Sequence, residues 1–253
     1  MTAPRPVALV TGVGRLVGIG AALATRLAED GWDVATTHWT PYDDRMPWGR
    51  QDGDVERIGE AIRAHGARHV AIPADLCDES APAAVFDEVE KALGPVVALV
   101  MAHCESVNSG LLDTKVDSFD RHFAVNARAS WLLIRELATR MPGPDERARI
   151  IALTSDAVVG NMPYGASKGA LDRIVLAAAR ELADLRVTAN VINPGPIDTG
   201  WMDDELRDGI AAATPRGRSG RPSDTAALVS FLCSAEGGWV NGQLLNSDGG
   251  LHA

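Results

Sequence analysis

The chain has 253 residues, with 24 basic against 34 acidic side chains, a formal net charge of −10, 46% hydrophobic and 23% charged residues. A chain of this size hides roughly 70% of its extended surface on folding, which excludes disordered and fibrous classes. The acidic balance speaks against a broad nucleic-acid or acidic-membrane surface, because either needs clustered Lys and Arg.

Residues 1–6 lead straight into an apolar run without a charged leader, and no apolar run approaches the ~18 residues of a membrane span. Cys77, Cys104 and Cys233 lack C-x-x-C spacing, so neither a disulfide framework nor a zinc site is signalled. A soluble, unprocessed, cytoplasmic protein is expected.

Strands are predicted at 7–11, 34–38, 69–73, 96–102, 150–154, 187–193 and 243–246. Helical patterns over 19–29, 55–65, 81–93, 119–140, 164–183 and 223–234 alternate with them. The strands are rich in Val, Ile, Leu and Ala without clean alternation, as parallel strands covered on both faces require. The alternation predicts an α/β fold: one doubly wound, mostly parallel sheet of about seven strands in a single domain over 1–253, with helices on both faces. Two stretches read as irregular. One is the loop 39–54; the other is 194–222, with a short helix over 202–213 and a substrate flap at 198–217.

Thr11-Gly12-Val13-Gly14-Arg15-Leu16-Val17-Gly18-Ile19-Gly20 lies between the first strand and the first helix. Glycines there allow a tight turn and a close approach of backbone N–H groups to a pyrophosphate, while the helix dipole favours the anion. A plain turn would also be glycine-rich, but this placement points to a Rossmann-type dinucleotide site. A carboxylate at the end of the second strand normally binds the adenosine ribose of NAD, and His38 stands there instead. That favours NADP(H) over NAD(H), with Arg15, His38, Thr40 or Arg45 as partners of a 2′-phosphate; Asp43 and Asp44 weigh against it.

Tyr164 and Lys168 begin a helical pattern four positions apart, on one face. A phenol has a pKa near 10, and lowering it by about three units with a nearby cation is worth roughly 4 kcal/mol. Such pairs also arise by chance on any helix, so context decides.

The context is a set of motifs in fixed order. Asp75-Leu76 follows the third strand, Asn126 closes Phe123-Ala124-Val125-Asn126, and Ser155 follows the fifth strand. Then come Tyr164-Gly165-Ala166-Ser167-Lys168, Asn193-Pro194-Gly195-Pro196-Ile197-Asp198-Thr199, and Asn241-Gly242-Gln243 with Asp248-Gly249-Gly250. With the glycine loop, this set resembles the short-chain dehydrogenase/reductase family, particularly its 3-oxoacyl-[acyl-carrier-protein] reductase-like members, over essentially the whole chain.

The resemblance implies a NADP(H)-dependent ketone–alcohol oxidoreductase with Asn126, Ser155, Tyr164 and Lys168 as its catalytic set. Tyr164 would be the general acid, and Lys168 would lower its pKa and bind the nicotinamide ribose. Ser155 would hold the substrate carbonyl, and Asn126 would shape a proton relay. Cofactor contacts, added to Arg15 and His38, would come from Gly12, Gly18, Ile19, Gly20, Asp75, Leu76, Tyr164, Lys168, Pro194, Gly195, Ile197 and Thr199. No metal is implied. The partner would be a small carbonyl or alcohol, free or carrier-bound, and the assembly a homotetramer or homodimer with 243–253 near an interface.

Three features depart from that pattern. The glycine loop is longer between Gly12 and Gly18 than T-G-x-x-x-G-x-G, which leaves the role of Gly14 open. Met101-Ala102-His103-Cys104 replaces the family's N-N-A-G, and Ser155 precedes Tyr164 by only nine positions, with Thr154 as a weaker substitute.

Other readings compete with this one. Cys104, between His103 and Glu105, reads either as an activated thiolate or as a packed cysteine, the second being the usual case after an apolar strand. Gly165-Ala166-Ser167-Lys168-Gly169 fits the G-x-S-x-G elbow of a serine hydrolase using Ser167, with His252 the only later histidine, but no strand runs into it. The altered 101–104 segment also keeps open a dinucleotide-binding sensor or scaffold without catalysis. Trp131 is expected to pack in its helix, and Trp39, Trp48 and Trp201 to line an apolar or sugar-like pocket.

Overall fold

Seven strands form one all-parallel sheet: Val7–Thr11 (β1), Asp33–His38 (β2), His69–Pro73 (β3), Val96–Met101 (β4), Arg149–Leu153 (β5), Thr188–Asn193 (β6) and Leu244–Asn246 (β7). Their order is β3-β2-β1-β4-β5-β6-β7, the Rossmann-like α/β arrangement expected from the sequence. The computed structural model describes residues 4–141, 143–145 and 147–252. Residues 1–3 of the expected leaderless start, and Ala253 at the end of the expected interface segment, lie outside the described residues.

Successive strand residues face opposite sides of the sheet, so each central strand feeds two cores. Leu9 of β1 joins Leu99 and Ile150 under the helices Ala81–Ala92 (α4), Ala129–Arg140 (α6) and Met162–Glu181 (α7), through Phe86, Leu133 and Val175. Its neighbours Ala8 and Val10 join Ala98 and Val100 under Ile19–Glu29 (α1), Asp54–Ala64 (α3) and Pro222–Cys233 (α9), through Leu23, Ile62 and Val229. Each fully buried Leu, Ile or Phe contributes roughly 1.5–3 kcal/mol relative to its exposed state.

Three expectations are corrected in detail. The loop 39–54 contains a short helix, Thr40–Asp44 (α2), with Pro41 in its first turn. The expected helix 119–140 starts earlier, at Val116–His122 (α5), and passes through a π-helical stretch, Phe123–Arg128, before α6. Trp131 is not packed: it is 48% exposed, with the Arg135 guanidinium 5.3 Å from its ring centre. The short helix expected over 202–213 is Asp204–Ala213 (α8), inside the expected flap.

The chain winds outward from β1 to β2 and β3 and then returns to place β4 on the other side of β1. Val10 is therefore in register with Thr36 on one side and Val100 on the other. The two connecting chains leave in opposite directions at the carboxyl ends of β1 and β4, which opens a crevice there. Among the described residues no helix is long and apolar enough to cross a membrane.

Candidate active site

That crevice is a cavity of about 1230 Å³. Its walls include Gly12, Gly14, Arg15, Gly18, Ile19 and Gly20 from the β1–α1 turn, His38 at the end of β2, and Asp75 and Leu76 after β3. Ser155 and Tyr164 form another wall, and Pro194, Gly195, Ile197 and Thr199 after β6 a third. Asn126 and Lys168 stand behind the lining, 1% and 3% exposed.

Gly12 has φ +76°, and a Cβ there would fall 2.6 Å from the backbone of His103, so the turn can press against the end of β4 only with glycine. Five residues then separate Gly12 from Gly18, and the longer loop carries Arg15 over the cavity. Arg15 Nη2 donates to the Thr199 carbonyl at 2.9 Å, and its Cζ lies 4.7 Å from the Trp48 ring centre. Its Nε, 4.0 Å from Asp43 Oδ1, is buried without a hydrogen bond, as is His38 Nδ1. Burial holds the His38 imidazole below its ordinary pKa, against the opposing field of Glu56. A buried polar atom left unpaired is costly, and the Arg15 Nε donor with His38 Nδ1 beside it, at a glycine-lined crevice, fits the adenosine end of a dinucleotide.

The segment after β2 crosses this end of the crevice. Trp48 Nε1 donates to Asp43 Oδ1 at 2.9 Å, and burial raises the Asp43 carboxyl against that bond and the pull of Arg15. Tyr42 donates its hydroxyl to the Ser106 carbonyl at 3.2 Å. Arg45 meets Glu105 through two bonds of 3.0 Å. Arg121 Nε reaches the same carboxylate at 3.2 Å, and its Nη2 reaches Asp75 Oδ1 at 3.1 Å. Buried Glu105 is thus compensated by two guanidinium groups, as a buried carboxylate must be.

At the other end, α7 begins with Pro163 in its first turn and presents Tyr164 to the cavity. One turn on, Lys168 Nζ donates to the Leu153 carbonyl at 2.8 Å and lies 5.7 Å from the Tyr164 ring centre. Burial lowers the Lys168 pKa. Burial also raises that of Tyr164, with the Cys104 thiol adding to the rise and a hydrogen bond with Ser155 opposing it. The Lys168 ammonium is held at the Leu153 carbonyl, and burial is the largest influence on the phenol.

The π-helical stretch swings Asn126 toward the end of β4, where Oδ1 accepts from Glu105 N at 2.7 Å and Nδ2 donates to Glu105 O at 2.9 Å. Its Nδ2 also donates to Ser167 Oγ at 2.9 Å. The substituted 101–104 segment has its own support. His103 Nε2 donates to the Val125 carbonyl at 3.0 Å, leaving Nδ1 to accept from Thr11 Oγ1 at 2.6 Å, and burial pushes the imidazole pKa down to about 3.

Residues 12–252 match the model of a family described as enoyl-(acyl carrier protein) reductase, a branch of the short-chain dehydrogenases. The chain belongs to the short-chain dehydrogenase/reductase family. It is 36% identical over 252 residues to the uncharacterized oxidoreductase YjdA of Bacillus subtilis, covering 97% of this chain and 96% of that one. It is 35% identical over 255 residues to an NADPH-dependent aldehyde reductase-like chloroplastic protein of Arabidopsis thaliana, covering 96% and 93%. Among solved structures, a short-chain dehydrogenase from Burkholderia cenocepacia J2315 in complex with NADP superposes with a TM-score of 0.86 at 33% identity, covering 99% of this chain and 98% of that one. The protein is an oxidoreductase.

Within this dehydrogenase/reductase the other readings separate cleanly. Ser167 is fully buried inside α7, donating to the Tyr164 carbonyl at 2.8 Å, so it presents no nucleophile to the cavity and the hydrolase reading fails. Cys104 does reach the cavity, but burial raises its thiol pKa, which disfavours the thiolate. Arg45, expected as a phosphate partner, is engaged by Glu105. Trp39, Trp48 and Trp201 do line the cavity. The sequence reading missed Tyr42, Arg121, Asp156 and His252, all of which line it too. Tyr42 carried one usable signal, being the only tyrosine besides Tyr164.

Proposed function

We propose that this enzyme interconverts a ketone and a secondary alcohol with NADP(H), Tyr164 acting as general acid in reduction. The observation that carries the reading is the grouping of Tyr164 and Ser155 on one cavity wall with Lys168 buried directly behind them. NADPH, when bound, supplies the hydride. Gly12, Gly18, Ile19 and Gly20 would hold its pyrophosphate through backbone N–H groups, Asp75 and Leu76 its adenine, and Pro194, Gly195, Ile197 and Thr199 its carboxamide side.

Ser155 Oγ, on the same cavity wall as Tyr164, would donate to the substrate carbonyl and bring that oxygen to the phenol. Tyr164 Oη would then deliver its proton to the developing alkoxide. Lys168 would stabilise the phenolate left behind once its ammonium turns from Leu153 toward the ribose. Asn126 would act by holding the Glu105 backbone that forms the adjoining wall. Arg15 and His38 support NADP(H) over NAD(H), since their unpaired nitrogens offer a 2′-phosphate the bonds they lack. The aromatic lining favours an apolar ketone, free or carrier-bound, with 198–217 as the flap over it.

The test is loss of reduced-nicotinamide absorbance with NADPH and NADH against a panel of ketones. Tyr164→Phe should abolish turnover and leave NADPH binding intact, and appreciable residual turnover would overturn the assignment.

A further inference from the structure

After β7 the chain turns back over the cavity, and Leu251 and His252 join its lining. The fold binds this turn tightly. Asp248 Oδ1 accepts from Gly250 N at 2.9 Å, and its Oδ2 accepts from His252 N at 3.2 Å and from the imidazole Nδ1 at 2.6 Å. Asp248 is packed against the turn after β6: Gly195 has φ +65°, and a Cβ there would fall 2.6 Å from Asp248 Cβ. The other imidazole nitrogen, Nε2, pairs with Asp156. Asp156 immediately follows Ser155, and its charge bears on Tyr164.

We propose that His252 is a positioning residue of the substrate pocket, its imidazolium tying the loop that follows Ser155 to the turn that carries Gly195. An imidazole with a carboxylate on each nitrogen can donate to both only when it carries both protons. The neutral ring has one N–H, so one bond is lost and the bare nitrogen faces a carboxylate oxygen. The ionisable groups facing the ring are Asp156 from the β5–α7 loop and Asp248 from the β7 turn, and Tyr164 at the head of α7 faces Asp156 in turn. The hydrogen bond to Asp248 raises the His252 pKa above its ordinary value, against the lowering effect of burial and with the Asp156 and Asp248 charges adding to the rise.

The protonated clamp therefore holds the pocket walls together at lower pH, and raising the pH through the His252 titration releases the loop that carries Asp156. Because the pair is half exposed, its effect is modest, about two- to fivefold in KM. The clamp bears on catalysis only if the carbonyl-reduction reading holds, but its existence can be measured without turnover.

Two measurements decide it. Side-chain NMR titration of the histidines, with His252 assigned from its absence in His252→Ala, should give a pKa above about 6.5 that falls back toward that value in Asp156→Asn. An ordinary pKa unchanged by Asp156→Asn overturns the clamp whatever the activity. Kinetics with NADPH and ethyl acetoacetate should show the wild-type KM rising with pH to the value that His252→Ala already has at low pH. The kcat should change less than twofold, NADPH affinity should stay unchanged, and Asp156→Asn in the same chain should add nothing further. A His252→Ala KM equal to wild type at every pH overturns the positioning role. If wild type turns over no carbonyl at all, the functional reading fails while the titration still decides the clamp.

Discussion

Asn126 grips the backbone of Glu105 at both ends, accepting from its N–H at 2.7 Å and donating to its carbonyl at 2.9 Å. Neither group has a substitute partner if the side chain is shortened. Asn126→Ala should thus leave two buried polar groups unpaired and lower stability by about 2–4 kcal/mol in urea unfolding. Asn126→Asp should be at least as harmful, because it sets a carboxylate oxygen against the Glu105 carbonyl. Losses below about 0.5 kcal/mol for both would show that the clamp contributes nothing.

His103 gives the fold an acid-sensitive point. Its imidazole is held near a pKa of about 3, so between there and its ordinary value the unfolded chain binds a proton that the folded chain refuses. Stability linked to this group is intact above about pH 6.5 and falls by about 1.4 kcal/mol per unit as pH drops below it. His103→Gln keeps a donor and an acceptor but cannot titrate. Its stability should change with pH less steeply than wild type between pH 6 and 4, and parallel curves would refute the assignment.

Arg15 and Asp43 share one corner of the crevice, and under the proposed NADP(H) reading they would pull cofactor choice in opposite directions. Removing the guanidinium with Arg15→Ala should weaken NADPH by about 10- to 100-fold, the worth of a charge-assisted bond, and NADH far less. Asp43→Asn should shift preference further toward NADPH. Both follow from dissociation constants read by nicotinamide fluorescence, and equal losses of the two cofactors in Arg15→Ala would mean that Arg15 only shapes the loop.

Arg45 and Glu105 fasten the α2 segment across the crevice through their paired bonds. Arg45→Ala should speed amide hydrogen exchange in residues 40–48 several-fold while leaving β1 protected, since the anchors of β1 lie in the sheet. Unchanged exchange in 40–48 would show that Tyr42 and Trp48 hold the segment unaided.

The sheet was legible because its strands are rich in Val, Ile, Leu and Ala, and the crevice because the glycine turn, Tyr164 and Lys168 stand in a fixed order among the other motifs. What stayed hidden depends on distance in space. Glu105 reads as an ordinary acidic residue until Arg45 and Arg121 close on it from segments far apart in the chain. Asp156 and His252 likewise acquire meaning only when β7 returns to the sheet beside β6. The π-helical stretch was invisible because Phe123–Arg128 has ordinary helical composition, and its irregularity is imposed by where Asn126 must reach.

The bond from Arg15 to the Thr199 carbonyl joins the first turn of the chain to the segment after β6, across the open side of the sheet. Two equilibria are thereby linked. A ligand that draws Arg15 toward itself withdraws a tether from the stretch leading into α8, and by reciprocity anything that fixes that stretch alters how readily Arg15 is released. Affinity at one end of the crevice then depends on occupancy at the other through the lengthened glycine loop, to be read from dissociation constants for each ligand with and without the other.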